Sequence, residues 1–184
     1  REVTVPFSFT YADLSLSSTV TGLYTATTGG AGKLNYAFGA AGYPEGHVES
    51  ASADDDLKWT KLKVDNGALF LITQLFLDNR DYFAFVERAR NARIRVPIVP
   101  GIMPITNVAQ VERFTKMCGA KIPAELGARL RRAGDDPAAV MALGIEHAIT
   151  QCRGLLEGGA PGLHFYTLNR SAATRSVLAA VRRV

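Results

Sequence analysis

Polar side chains gather in this sequence just where its apolar runs stop. After one run stand Tyr43, Glu45 and His47; after the next, Thr73 and Gln74; after a third, Pro100 and Gly101; after a fourth, Tyr166, Thr167, Asn169 and Arg170. In parallel α/β folds ligands bind beyond the carboxyl ends of the strands, so polar groups at successive run ends argue for one shared site. Arg170 stands beside a predicted helix start, electrostatically the wrong end for a cation, so a bound anion is an attractive partner for it. Each residue also has a plainer role. Gln74 can be a strand-end amide bonded to a neighbouring loop, and Tyr166 can be core. His164 shares strand parity with Tyr166 and can fill the interior, while His147 reads as structural on a helix. Their convergence on one rim is what argues for a shared site.

Other chemistries find little support. Cys118 and Cys152 lie far apart, without a CxxC or metal spacing, and read as small buried hydrophobes in a reducing compartment. His47, His147 and His164 are too dispersed for a metal cluster, and neither a P-loop nor GxGxxG occurs. The formal charge of +4 is spread over several segments. Arg129, Arg131 and Arg132, like Arg182 and Arg183, read as solvated helix faces, so no nucleic-acid partner is expected. No apolar run has the length of a membrane span, and the first residues do not form a secretion signal. A cytoplasmic protein without a membrane partner is therefore expected. The chain opens on Arg1 and not Met, so an upstream segment is expected too.

The elements that must carry these residues follow from periodicity and punctuation. Apolar runs over 36–43, 68–74, 95–99 and 162–168 predict strands. Helices are predicted over 54–66, stopped by Gly67, and after Asp78 as cap, with Tyr82, Phe85, Val86 and Ala89 as the buried stripe. A further helix follows Asn107 and Gln110, which resemble a capping box. Pro123 and Pro137 suit first helical turns. The segment 137–157 carries the stripe Met141, Ile145, Ala148, Cys152 and Leu155, and Ser171 is predicted to cap a last helix. Strands apolar on both faces, alternating with helices, mean a parallel sheet covered by helices. Either an open doubly wound sheet or part of a barrel fits, and 184 residues favour the former on length. Residues 1–34 are rich in Ser, Thr and Gly, with weak strand signals; 25–32 read as loop.

At these strand ends the sequence resembles the methylenetetrahydrofolate reductase family. The resemblance rests on AGYPEGH (41–47), LKVDNG (62–67), ITQLFLD (72–78), VPIVPGIMPIT (96–106) and GLHFYTLNRS (162–171), in family order and approximate spacing. It spans most of the chain from Phe38. What it implies is a (β/α)8 TIM-type barrel, here incomplete and represented by about its last half, overriding the length argument. It also implies a reaction in one-carbon and methionine metabolism. NADH or NADPH reduces bound FAD, and methylenetetrahydrofolate then enters the same place and is reduced to methyltetrahydrofolate. The resemblance puts Tyr43, His47, Asp56 and Lys63 at flavin-binding positions, with Trp59 nearby. It puts Gln74 at the pterin, Gln110 and Phe114 at a face that stacks on folate or nicotinamide, Tyr166 and Leu168 in the site wall, and Arg170 near the glutamate tail of folate.

The match fails at the N-terminal side. The glutamate that should act as the acid is not found, since Pro6-Phe7-Ser8-Phe9 carries no carboxylate, and the LRGDP-like loop is missing. Residues 9–14 faintly resemble the adenine-side segment, which makes Tyr11 a candidate FAD contact. A half barrel leaves open sheet edges that invite pairing, so a homo-oligomer is expected. The expected activity is that of the reductase, with the alternative of a catalytically inactive flavin- or folate-binding relative. The chain by itself is expected to be weakly active or inactive.

Overall fold

The computed structural model describes residues 2–11, 18–27 and 38–182, with side chains from residue 39 onward. The chain divides into two compact units, Arg1–Ala37 and Phe38–Val184. In the first, β1 (Glu2–Tyr11) and β2 (Ser18–Thr27) pair antiparallel, from Glu2 opposite Thr27 to Tyr11 opposite Ser18. The weak strand signal expected there hid a simple fact: Thr and Val are β-branched and suit a pleated surface, whatever their frequency in loops. The loop expected from Thr25 starts later, because β2 runs through Thr27; 28–32 lie outside the described residues. Tyr11 closes β1, and its side chain is outside the described set, as are residues 12–14 of the adenine-side resemblance.

The second unit alternates strands and helices. Its order is β3 (Phe38–Gly42), α1 (Ala53–Asp65), β4 (Ala68–Thr73), α2 (Asn79–Asn91), β5 (Ile98–Val99), β6 (Gly101–Ile102), α3 (Val108–Cys118), α4 (Ala124–Ala133), α5 (Pro137–Glu157), β7 (His164–Phe165) and α6 (Ala172–Val181). β3, β4 and β5 form one parallel sheet, and β6 pairs parallel with β7. β5 and β6 flank Pro100, which has no N–H to give to a ladder, so one strand path is broken in two. The predicted strand over 95–99 thus shrinks at its start and resumes beyond the proline. Within each of these two sheets the strands follow chain order, β3-β4-β5 and β6-β7. Among the described residues, β3 pairs only with β4 and β7 only with β6.

Side-chain oxygens set the helix starts. Asp78 accepts from Arg80 N at 2.9 Å, as predicted, and Ser52 and Asp136 do the same for α1 and α5. Asn107 accepts from Gln110 N at 2.8 Å, but Gln110 does not return the bond as a capping box would; its Oε1 accepts from Thr106 Oγ1 at 3.4 Å. Ser171 occupies the cap position of α6 in helical geometry and makes no side-chain cap bond. Pro123 precedes α4 as its cap, and Pro137 opens α5.

Two apolar clusters fill the unit. One joins Leu71, Ile98 and Ile102 to Phe85, Cys152 and Val177 from the covering helices. The other gathers Leu75, Ile105, Val111, Leu130 and Val140. The α5 stripe is turned from the predicted one at its start: Val140 and Gly144 are buried and Met141 is 38% exposed. A Cβ on Gly144 would stand 1.9 Å from the carbonyl oxygen of Ile105, so the helix packs there on glycine. Among the described residues, no helix is long and apolar enough to cross a membrane.

Candidate functional site

The end of β3 carries the first group of predicted residues. Tyr43 is buried, His47 meets its ring edge-on at 4.6 Å between centroids, and the Lys63 ammonium lies 5.6 Å from the ring centroid. Gly46, at φ 89°, lets the chain turn between the two rings, with Gly46 N donating to Tyr43 O at 3.1 Å. Asp56, two helical turns before Lys63 on α1, is buried too, at 5% exposure. Leu57 and Val64 of α1 pack against the first apolar cluster, Asp56 and the fully buried Thr60 are the helix's buried polar residues, and Lys61 pairs with Asp65 at the surface. Trp59 is 57% exposed. Tyr43, His47 and Lys63 therefore come together, with Asp56 on the same helix and Trp59 turned to solvent.

The end of β4 is fastened to this group. Gln74 N donates to Gly42 O at 2.7 Å, placing Gln74 beside Tyr43. Its Oε1 accepts from Leu75 N at 2.9 Å, the local role that a strand-end amide can play. One residue earlier, Thr73 accepts twice. Its Oγ1 takes Gly101 N at 2.9 Å, and its carbonyl takes the Tyr166 hydroxyl at 2.9 Å. Glycine is required at 101, because a Cβ would lie 2.2 Å from Thr73 O and 2.7 Å from the Tyr166 ring. Burial pushes the Tyr166 phenol up, so it stays a donor at neutral pH. His164 meets the Tyr166 ring at 4.9 Å, as strand parity implied.

Beyond Tyr166 lies a cavity of about 210 Å³ lined by Gln110, Tyr166, Leu168 and Arg170, together with Met103 and Thr106. Leu168 and Asn169 both take left-handed backbone, φ 48° and 61°, a turn that costs about 1 kcal/mol or more per residue and clusters at functional sites. Ala173 and Thr174, from the first turn of α6, complete the wall. The Arg170 guanidinium and the helix N-terminus thus share one end of the cavity, and both favour an anion. Phe114 is half-buried and packs against the second apolar cluster with the Arg113 guanidinium 5.7 Å from its ring. Neither Phe114 nor Gln74 lines the cavity. Met103, Thr106 and Thr174 were not singled out in the sequence, where no polarity break marks them.

The arrangement is a row. Lys63, His47 and Tyr43 stand at one end and Arg170 at the other, joined through Gly42, Gln74, Thr73 and Tyr166. A cation at each end, Lys63 and Arg170, with carboxamides between, suits an elongated ligand that carries negative charge toward both ends. The family model for methylenetetrahydrofolate reductase matches residues 33–182. The chain belongs to the methylenetetrahydrofolate reductase family. It is 40% identical over 143 residues to methylenetetrahydrofolate reductase 1 of Schizosaccharomyces pombe, covering 78% of this chain and 24% of that protein. It is 42% identical over 147 residues to methylenetetrahydrofolate reductase (NADH) 1 of Arabidopsis thaliana, covering 75% and 25%. To 5,10-methylenetetrahydrofolate reductase of Escherichia coli it is 38% identical over 137 residues, covering 74% and 46%. The chain therefore spans about a quarter of the eukaryotic relatives and under half of the bacterial one. A solved Clostridium thermocellum protein that binds two copies of 5-methyl-5,6,7,8-tetrahydrofolic acid shares the fold, with a TM-score of 0.52 at 20% identity over 80% of this chain and 53% of that one.

Proposed function

We propose that this chain is the C-terminal arc of a (β/α)8 barrel that serves reduction of 5,10-methylenetetrahydrofolate to 5-methyltetrahydrofolate, with FAD as cofactor and NADH or NADPH as hydride donor, in the cytoplasm. Parallel strands that follow chain order within each sheet support the barrel. The observation that carries the functional reading is the fastened row of strand ends, from the Lys63–Tyr43–His47 group to the Arg170 cavity.

The residues at the β3 end fit FAD by their chemistry. Lys63 offers charge to a phosphate, Asp56 a carboxylate to hydroxyl groups, and Tyr43 with His47 an aromatic floor. When bound, FAD supplies the means to accept a hydride from the nicotinamide and pass it on. The protein's own contribution is position and electrostatics. Gln74, at the end of β4, has a carboxamide suited to the donors and acceptors of a pterin, and Gln110 brings another carboxamide to the cavity wall. The Tyr166 phenol holds the wall in place through Thr73. Arg170 and the start of α6 neutralise a carboxylate tail.

A second reading, a flavin- or folate-binding relative without catalysis, is favoured by one feature: no carboxylate stands among the residues lining the cavity. Two measurements separate the readings. Titration of FAD into the chain, followed by quenching of Trp59, its single tryptophan, tests the flavin site. NADH or NADPH oxidation dependent on FAD and folate then tests catalysis. Absence of both flavin and folate binding sinks both readings, and binding of either without oxidation leaves the second.

A further inference from the structure

Glu45 lies between Tyr43 and His47, and its side chain is only 4% exposed. Its two carboxylate oxygens accept from the backbone N–H of Lys121 at 3.0 and 3.2 Å, across 76 residues of sequence. The Lys121 ammonium is 3.9 Å away, but that side chain is 82% exposed. Lys121 belongs to the connection that leaves α3, the helix that carries Gln110 and Phe114. The same two segments touch again nearby: a Cβ on Gly119 would meet Val48 at 2.9 Å. From the other side, the Arg88 guanidinium of α2 donates to Pro44 O at 2.9 Å. The turn is thus gripped on both flanks, and a buried carboxylate makes one of the grips.

We infer that Glu45 is a positioning residue that fixes the distance between the Tyr43–His47 turn and α3, and so between the two ligand groups the site must bring together. This rests on the functional reading above, in which the turn holds flavin and α3 faces folate. The carboxylate is costly to bury: desolvation pushes the Glu45 carboxyl up, the Lys121 N–H pulls it back, and Asp81 adds repulsion. A surface turn needing only a local bend has no use for such a group. A brace does, because a carboxylate can take one backbone N–H on both its oxygens and so hold two segments at a fixed separation. The donor is main chain, so the identity of residue 121 is free while that of residue 45 is not.

The test uses the full chain with Glu45→Ala, Glu45→Gln and Lys121→Ala. Amide hydrogen exchange reads the brace at Lys121 N. FAD and 5-methyltetrahydrofolate titrations, followed by fluorescence, read its purpose. E45A is expected to speed exchange at Lys121 and weaken both ligands by about tenfold, the loss of one charge-assisted bond. E45Q keeps an acceptor and K121A keeps the donor, so both are expected to stay within about twofold of the parent. E45A that binds both ligands like the parent overturns the positioning role alone. A K121A loss equal to that of E45A overturns the backbone brace in favour of the side-chain ion pair. A parent chain that takes up neither ligand overturns the functional reading and this role with it.

Discussion

The hydroxyl of Tyr166 donates to the carbonyl of Thr73 at 2.9 Å, across 93 residues, and both groups crowd Gly101, where a side chain would not fit. β7 contributes two residues to its ladder, so this bond is a large part of what holds the cavity wall to the sheet. Tyr166→Phe is expected to cost about 1 kcal/mol in chemical denaturation, the net value of one hydrogen bond. Gly101→Ala is expected to cost more, roughly 1–3 kcal/mol, because the methyl group would meet both Thr73 O and the ring. Equal stability of G101A and the parent would refute the close approach.

Arg170 stands exposed at the cavity, so its removal should affect binding and not folding. Arg170→Ala is expected to weaken 5-methyltetrahydrofolate by about tenfold while the melting temperature stays put. Arg170→Lys should recover part of the affinity, as a point charge without the planar fork. A folate lacking its glutamate carboxylates should bind parent and R170A alike, measured by calorimetry.

Acid should loosen the α5 side of the fold. Desolvation lowers the His147 imidazole below its ordinary 6.5, a bond to Leu77 opposes that, and Arg129, Asp78 and Glu146 act on it by charge. A depressed value in the folded state means that the unfolded chain binds the proton more readily. The contribution to stability is therefore fully present above pH 6.5 and lost as pH falls through the lower folded-state value. Melting temperatures between about pH 7.5 and about pH 5 should fall less steeply in His147→Gln than in the parent. Asp78, held low chiefly by its bonds to Arg80, loses its own contribution only at pH values below the ordinary 3.8 of its carboxyl, outside this window, and so leaves the comparison untouched.

The thiols should be inert while the fold stands. Burial pushes Cys152 up to about 11 and raises Cys118, so thiolate is scarce at neutral pH. Iodoacetamide near pH 8 is expected to leave both unmodified in the native chain and to label both in urea, as mass spectrometry would show. Rapid native labelling of Cys152 would contradict its burial.

Local patterns announced much of this architecture. Asp78 before Tyr82, Phe85 and Ala89 specified α2, because a cap and a stripe at helical spacing are properties of neighbouring residues. The parallel sheet was legible from the two-faced apolarity of β4. On α1 the apolar contacts of Leu57 and Val64 were legible, but the burial of Asp56 and Thr60 was not, since an apolar stripe search passes over polar residues. The break at Pro100 and the shortness of β7 were hidden because pairing is decided by a partner far along the chain. At the site, the strand-end rule alone found Tyr166, Thr167 and Arg170, the family resemblance added Gln110 and Leu168, and neither could foresee that Phe114 packs away from the cavity. The contact of Glu45 with Lys121 left no local trace at all.

The fastening of Tyr166 to Thr73 narrows what evolution can try here. A wall residue that touched only the ligand could drift toward new substrates one substitution at a time. This one also ties together strands that have few ladder bonds of their own, so most replacements would loosen the scaffold before they altered selectivity. Diversification in such a chain should instead begin at Leu168 and Thr174, which border the same cavity and anchor nothing.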